Sequence, residues 1–407
     1  MRVLWVSPFL PAPDRGGGYL HAWELLARMG RKHAVTLLCL ELDPRQQASS
    51  QVELGVEVLG VEQRRHVASS RAALLWGALR GPGSEHFRWL LPGVEAAGQE
   101  LTAVQDRYDL AFIWGSELAP LLSYSSLPTA YYVTDAHTTY HRRLMRAAPT
   151  RRHRLLYALD ALHVHRWERT RYRIATALAT TSLMEATVLG ELTGRQFDVI
   201  PVALGDDWFA SPQFHRERNL LSIIAGLDYW PNIDGIRWFL TRCWPRIRSA
   251  LPEVRLRVVG RSPSPELRAA IASADAELVA DVPDVRPYYW QASVAVIPLR
   301  VGSGVKNKLI HAFACGAPVV ATPVAIEGTA ATAGTHLLIG RDAEALAEAV
   351  CEALSHPAEA ERRAEIARAL ADPYRAERTA AALEEFWQRA TVAVSPSARK
   401  TPALQPR

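Results

Sequence analysis

The chain has 407 residues, more than a single hydrophobic core usually serves, so its length favours two domains. Hydrophobic residues make up 49% of the sequence and charged residues 22%, a composition typical of globular proteins that excludes a wholly disordered chain. The net charge of +5 permits attraction to phosphates or to an anionic membrane surface and selects neither.

No apolar run approaches the roughly 20 residues that a membrane-spanning helix needs. The N-terminal apolar run stops at Pro8 and lacks the features of a signal peptide. We therefore expect a cytoplasmic protein. Its four cysteines are far apart in apolar or helical stretches, which indicates reduced core residues: Cys39, Cys243, Cys315 and Cys351.

Short apolar segments alternate with amphipathic ones in the first half of the chain. The predicted strands are Arg2–Val6, Val35–Leu40, Leu110–Trp114, Thr129–Thr134, Ala177–Thr180 and Asp198–Pro201. Helices are predicted over Tyr19–Met29 and over the arginine-rich segment Arg151–Arg173. The second helix has apolar positions that approximate one face: Leu155, Leu159, Leu162 and Trp167. This alternation predicts an α/β domain with a parallel sheet covered by helices.

A second alternation begins after the polar stretch Asp206–Asn219. Its predicted strands are Leu221–Gly226, Val254–Gly260, Glu277–Val279, Val294–Leu299 and Pro318–Ala321. Its predicted helices are Pro231–Ile247, Glu266–Ala274, Val305–Cys315, Ala343–Ser355, Ala358–Ala371 and Tyr374–Thr391. We predict an N-terminal Rossmann-like domain over 1–205, a second over 206–373, a helix over 374–393 that packs back on the first domain, and a disordered tail over 394–407.

A run of three glycines, Gly16 to Gly18, lies between the first predicted strand and the first predicted helix. Glycine lets the backbone approach a ligand closely, and a helix N-terminus attracts anions. The run indicates a phosphate or substrate loop, although a flexible turn between strand and helix explains it equally well.

The most informative segment runs from Gly302 to Thr322. A predicted strand ends at Leu299, a glycine-rich turn follows, and a predicted helix comes next. Only four lysines occur in the chain, and two of them, Lys306 and Lys308, fall in the first turn of this helix. Backbone donors and two ammonium groups can together hold a diphosphate, so we predict a phosphate site at the carboxyl ends of the strands.

Polar residues also follow two predicted strands of the first half. Asp135 and His137 come after Thr129–Thr134 in a predicted loop, where substrate groups meet in open α/β sheets. A lone histidine more often packs locally, but this placement favours a functional role for His137. Glu117 follows another strand, and the alternative there is an ordinary helix start with Ser116 as the N-cap.

The Gly302 to Thr322 run, followed by Glu327-Gly328, resembles the donor-binding signature of the GT-B glycosyltransferases of family 4. Gly226 to Phe239 and Val258 to Gly260 resemble the same family in the same order and spacing, and Pro231-Asn232 is similar to a subgroup with this pair. The resemblance implies two Rossmann-like domains facing across a cleft, the first for the acceptor and the second for a nucleotide sugar. It also implies a retaining transfer from a nucleoside-diphosphate sugar of GDP or UDP type, with no metal or other cofactor.

The resemblance further implies roles for individual residues. Donor phosphate and sugar contacts fall on Gly17, Gly18, Gly302, Ser303, Gly304, Lys306 and Lys308. Nucleoside contacts fall on Val282, Pro283 and His311. From their positions after predicted strands, Asp135 and His137 are the catalytic candidates and Glu117 is a possible acceptor or cleft contact. Trp230 and Asn232 are further possible cleft contacts, and Asn232 is also a predicted helix N-cap. Ser303 and His311 replace the glutamates of the family, so the carboxylate that receives the ribose hydroxyls is missing and His311 is left to hydrogen-bond a hydroxyl.

Three functional classes stay open at this point. They are a glycosyltransferase, a non-transferring sugar-nucleotide enzyme of the epimerase or phosphorylase type, and a catalytically silent partner protein. Lys308, the glycine loop and the Asp135 and His137 pair favour the transferase. The scattered arginines disfavour nucleic acid as a partner. The acceptor is expected to be a small natural product, or a surface polysaccharide or lipid-linked glycan. In the second case the basic segment Arg142–Arg173 could touch an anionic membrane. A monomer and a homodimer are both compatible with the sequence.

Overall fold

The computed structural model describes residues 1–13, 17–40, 54–60, 91–148, 150–210 and 215–393. Gly16 of the glycine run and the predicted tail over 394–407 lie outside these residues. The chain divides into two compact units: Met1–Pro201 with the chain from Glu377 onward, and Val202–Ala376. None of the described helices combines the length and the apolar character needed to cross a membrane.

The N-terminal unit contains a parallel sheet of seven strands in the order β3-β2-β1-β4-β5-β6-β7. The strands are β1 (Arg2–Ser7), β2 (Ala34–Cys39), β3 (Glu57–Gly60), β4 (Leu110–Trp114), β5 (Thr129–Val133), β6 (Ala177–Thr180) and β7 (Asp198–Val199). Every residue of β4 and β5 is buried because helices cover both faces of such a sheet. The strand order reverses between β1 and β4, which creates a crevice at their carboxyl ends.

Five helices of this unit precede residue 201 in the described residues. They are α1 (Gly17–Lys32), α2 (Leu91–Val104), α3 (His137–Ala147), α4 (Arg151–Thr170) and α5 (Leu183–Thr193). The sequence placed His137 in a loop, and this was wrong because the helix α3 begins at that residue.

The predicted apolar face of α4 was wrong at two of its four positions, although Trp167 packs against the core. Leu155 and Leu162 are 63% and 65% exposed. The helix instead buries Asp160, Ala161, Val164 and Glu168. Its rotation is set by packing against α3 and α5, which accept small side chains and satisfy the carboxylate of Glu168.

The C-terminal unit repeats the same topology with six parallel strands in the order β10-β9-β8-β11-β12-β13. The strands are β8 (Glu217–Ile224), β9 (Arg255–Gly260), β10 (Glu277–Ala280), β11 (Ala292–Ile297), β12 (Val319–Ala321) and β13 (Leu338–Ile339). The helices are α6 (Trp230–Trp238), α7 (Trp244–Ala250), α8 (Pro265–Ser273), α9 (Arg286–Gln291), α10 (Asn307–Ala314), α11 (Pro323–Ile326), α12 (Ala343–Ser355) and α13 (Pro357–Ala369). One predicted helix, Pro231–Ile247, is α6 and α7 joined by a π-helical turn over Phe239–Cys243.

The last helix, α14 (Ala376–Val392), completes the core of the N-terminal unit. Its Trp387 is fully buried, with ring centroids 6.0 Å from Trp5 on β1 and 5.3 Å from Phe112 on β4. Aromatic pairs at these separations stabilise a core beyond the area that they bury.

Candidate functional site

The strand order of the C-terminal sheet reverses between β8 and β11, so a crevice lies outside the carboxyl ends of these two central strands. Helix α6 follows β8, and helix α10 follows β11. The two connections approach each other closely: a Cβ atom added to Gly235 of α6 would lie 2.4 Å from the Pro298 carbonyl oxygen. Glycine is therefore required there to let α6 pack against the end of β11.

A side-chain hydrogen bond joins the two connections. The Lys308 ammonium donates to Oδ1 of Asn232, and Nδ2 of Asn232 donates to the Gly226 carbonyl oxygen over 2.8 Å. Asn232 was predicted to be a helix N-cap, which was wrong because α6 is capped at Tyr229 and starts ahead of Asn232. Its amide is directed instead to the neighbouring connection, where it orients Lys308.

Among the residues that the structure describes, none supplies an anionic partner to the partly buried Lys308. Burial, and after it the ammonium of Lys306, lowers the pKa of Lys308 to about 7. Within the described residues, no carboxylate forms an ion pair with it. A desolvated cation in this state is stabilised by an anion, and a phosphate supplies one.

Lys306 is engaged differently, although it is only two residues away. Its buried ammonium donates to the Gly304 carbonyl oxygen over 2.7 Å and lies 3.7 Å from Oε2 of Glu327. Gly304 has a φ of 61°, a conformation that side chains with Cβ atoms disfavour. Lys306 therefore fixes the turn that contains Gly302, Ser303 and Gly304.

His311 lies one helical turn beyond Lys308. Its ring stacks on Trp208, with 4.0 Å between ring centroids and 25° between planes. Burial, and secondarily Lys308, lowers the pKa of His311 to about 3, so the ring is neutral at physiological pH. A neutral imidazole offers one donor and one acceptor to a ligand hydroxyl.

Trp208 was not predicted as a site residue. It lies in a 3-10 turn over Asp206–Phe209, in a stretch that the sequence presents as a polar boundary. An ion pair between Arg286 and Asp207 holds this turn against α9. The sequence signal that could have identified this turn is the pair of adjacent aromatic residues, Trp208 and Phe209, inside a polar stretch.

Asp135, His137 and Glu117 lie near the carboxyl ends of β5 and β4 in the N-terminal unit. The Ser116 hydroxyl donates to the Asp135 carbonyl oxygen over 3.3 Å and so links the two strand ends. Ser116 was considered as a helix N-cap, and this was wrong because the 3-10 turn over Ser116–Ser123 is capped at Gly115, whose φ is 109°.

Two buried glutamates hold the turn that contains His137, and neither was predicted. The Ala136 N–H donates to Glu185 over 2.5 Å, and the Thr138 N–H donates to Glu168 over 3.2 Å. The Thr138 hydroxyl also donates to Glu168. Burial raises the pKa of Glu168 to about 7. These bonds satisfy backbone donors on both sides of His137 and fix the start of α3.

The glycine run of the N-terminal unit is described from Gly17 onward. Gly17 opens α1 with a φ of 53°. The rings of Phe9, after β1, and Tyr19, on α1, lie 4.1 Å apart, so the two ends of this connection are in contact. A Cβ atom on Gly18 would meet the Phe9 ring at 3.6 Å, an ordinary contact, so the space at Gly18 does not itself require glycine.

The sequence from residue 218 to residue 356 matches the family described as glycosyl transferases group 1. Residues 218–356 therefore resemble a group 1 glycosyltransferase domain. A curated relative from Klebsiella pneumoniae, an uncharacterized 44.6 kDa protein in the cps region, is 26% identical over 129 residues. That alignment covers 30% of this chain and 33% of the relative, so the chain spans about a third of its length there.

Solved structures resemble the chain over nearly its whole length. Sucrose-phosphate synthase from Thermosynechococcus elongatus superposes with a TM-score of 0.73 at 17% identity, covering 97% of this chain and 100% of that one. HepE from Anabaena, in complex with UDP and glucose, has a TM-score of 0.66 at 14% identity, covering 95% and 98%. Trehalose 6-phosphate synthase from Burkholderia multivorans has a TM-score of 0.67 at 14% identity, covering 97% and 100%. The predicted GT-B fold and the resemblance to this family are confirmed.

The segment that matches this family contains most of the predicted donor residues. Lys308 and Asn232 are hydrogen-bonded at the crevice, and the Gly302 to Gly304 turn, bonded to Lys306, lies between β11 and α10. Val282 and Pro283 follow the edge strand β10, which β9 separates from β8. Trp230 begins α6 and is 37% exposed. Within the described residues, no three His, Cys, Asp or Glu side chains are grouped as metal ligands.

Proposed function

We propose that this protein is a retaining glycosyltransferase that transfers a sugar from a nucleoside-diphosphate donor to an acceptor. One observation carries the proposal: Lys308 presents a desolvated ammonium, without a carboxylate partner in the described residues, at the crevice of a group 1 glycosyltransferase domain. The diphosphate of the donor supplies the missing anion. HepE, which shares the fold, has been solved with UDP, which supports a UDP-type donor over a GDP-type one.

Three groups of residues in the C-terminal unit form the donor site. Lys308 and the N–H groups at the start of α10 bind the diphosphate and stabilise the charge that develops as the bond between sugar and phosphate lengthens. The turn fixed by Lys306 surrounds the sugar. His311, neutral and stacked on Trp208, hydrogen-bonds a nucleoside hydroxyl in place of a carboxylate. We include Val282 and Pro283 as contacts of the nucleobase.

The N-terminal unit supplies the remaining groups. We propose that Gly17 and Gly18 contact the diphosphate and that Asp135 and His137 contact the sugar or the acceptor. Glu117, at the end of β4, is a further acceptor contact. The backbone N–H groups of Ala136 and Thr138 donate to Glu185 and Glu168, and these bonds hold the turn that contains His137 in place. The acceptor is a small natural product or a glycan.

Calorimetry with UDP, GDP, ADP and dTDP tests the donor site. A hydrogen bond to a charged group contributes about 1.5–3 kcal/mol, so Lys308→Met should weaken binding of the cognate diphosphate roughly 10- to 150-fold. Lys32→Met is the matched control, because Lys32 pairs with Glu384 on the surface of the N-terminal unit. Unchanged affinity in Lys308→Met would refute the assignment of Lys308.

Product analysis separates transfer from the other classes. Incubation with the cognate donor and a panel of acceptors should give a glycosylated product with the anomeric configuration of the donor. An epimerised nucleotide sugar, or phosphorolysis, would indicate the non-transferring class. A parent protein that binds none of the four diphosphates would support the silent partner.

A further inference from the structure

A line of exposed leucines and arginines runs along α4 in the N-terminal unit. It consists of Arg151, Leu155, Leu162, Arg166 and Arg169, and we call it the α4 stripe. The residues are spaced by 4, 7, 4 and 3 positions, which places them on one side of an α-helix. Both leucines point to solvent, at 63% and 65% exposure.

The exposed charged side chains of the segment around the stripe are all positive. Residues 142–173 contain ten arginines and only two acidic residues, Asp160 and Glu168. Both acidic side chains are fully buried, and Glu168 is bonded to the start of α3. Burial, followed by Arg142 and Arg169, lowers the pKa of His165, as expected beside a cationic surface. The face that α4 turns to solvent is therefore cationic.

The combination of leucine and arginine indicates the kind of partner. A soluble polyanion would be bound by the arginines alone and would leave Leu155 and Leu162 in water. Leucines flanked by arginines on one helical stripe are typical of a helix that lies in the interface of a bilayer, with leucines in the acyl boundary and guanidinium groups at anionic headgroups. A 20-residue helix is about 30 Å long, so α4 can lie along the surface over several lipids.

We propose that the α4 stripe docks the protein on an anionic lipid bilayer. The docking places the N-terminal unit at a membrane surface through a peripheral contact. The proposal goes beyond sugar transfer and does not depend on it, because the stripe shares no residue with the donor site.

Sedimentation of the full-length protein with vesicles tests the proposal. The protein should bind phosphatidylcholine vesicles that contain phosphatidylglycerol, and pure phosphatidylcholine vesicles far less. Because each arginine near such a surface contributes about 1 kcal/mol, Arg166→Gln with Arg169→Gln should lower the partition coefficient roughly 30-fold. Leu155→Asp with Leu162→Asp should lower it roughly tenfold or more, since burial of each leucine is lost.

Matched controls keep the result specific to the stripe. Leu183→Asp changes a leucine that is 74% exposed at the start of α5, and Arg242→Gln changes an exposed arginine of the C-terminal unit. Both should bind vesicles like the parent protein, and all variants should keep the parent circular dichroism and nucleoside-diphosphate affinity. Equal binding to both vesicle types, or no binding, would overturn the proposal. Parent-like vesicle binding by the double leucine variant, together with parent-like retention on heparin, would identify a polyanion surface instead.

Discussion

Binding of a nucleoside diphosphate to this protein should be accompanied by proton uptake at Lys308. The pKa of Lys308 is about 7 without ligand, because burial and Lys306 disfavour its charge. A bound diphosphate favours the charged form and raises this pKa towards the ordinary value of lysine. At pH 8 the free protein holds about 0.1 proton on Lys308 and the complex about 1, so uptake approaches roughly 0.9 proton per site.

The same linkage predicts how affinity depends on pH. Above pH 7 the complex needs a proton that the free site lacks, so the dissociation constant should rise roughly 20-fold from pH 7.5 to pH 9. Two neighbours of Lys308 do not titrate between pH 7.5 and pH 9. His311 has a pKa of about 3, and burial holds the pKa of Tyr289 well above its usual value. The diphosphate itself is essentially fully ionised above pH 7.5, since phosphate monoester groups have a second pKa near about 6.

Calorimetry in buffers of different ionisation enthalpy measures the uptake directly, and titrations from pH 7.5 to pH 9 measure the affinity. Lys308→Arg is the matched control, because a guanidinium stays charged throughout this range and should bind with little pH dependence. A parent protein whose affinity is flat between pH 7.5 and pH 9, with no proton uptake, would refute the account of Lys308 as a desolvated phosphate ligand.

Two further substitutions test the surroundings of the site. Asn232→Asp places a carboxylate beside Lys308, so it should raise the pKa of Lys308, flatten the pH dependence and weaken diphosphate binding at pH 7.5 by charge competition, all measurable in the same titrations. The pKa of Glu168 is raised from 4.5 to about 7 in the folded protein. The contribution of Glu168 to the free energy of unfolding is therefore complete below pH 4.5 and is lost as pH rises through 7. Glu168→Gln should therefore raise the melting temperature at pH 8 and change it little at pH 5. An equal effect at both pH values would show that the Glu168 carboxylate does not titrate as described.

Local signals in the sequence predict the sheets and the donor turn. Strand β4 is an uninterrupted apolar run bounded by Asp109 and Gly115, most other strands are predominantly apolar, and their alternation with helices along the chain predicts the α/β class. The helix after Gly302 to Gly304 was identifiable because glycine and two of the four lysines mark its start.

Contacts between residues distant in sequence could not be predicted in this way. The stack of Trp208 on His311 joins a 3-10 turn to α10, although the two residues are 103 positions apart in the sequence. Glu168 and Glu185 reach backbone groups 30 and 49 residues earlier in the chain. The rotation of α4 depends on its neighbours, so Leu155 and Leu162 were predicted to be core residues while the structure exposes them. Periodicity reports which positions share a face and cannot report which face is covered.

The return of α14 to the N-terminal unit bears on the order in which the protein is made. The C-terminal unit is one continuous stretch, Val202–Ala376, whereas the N-terminal unit is interrupted by it. During synthesis the ribosome releases all of the second unit before Trp387 can pack beside Trp5 and Phe112. In multidomain chains the N-terminal domain usually folds first during synthesis. In this protein the N-terminal unit cannot complete its fold before the C-terminal unit has been synthesised. The N-terminal unit, although it is synthesised first, completes its hydrophobic core last, because Trp5 and Phe112 lack their partner Trp387 until α14 has been synthesised.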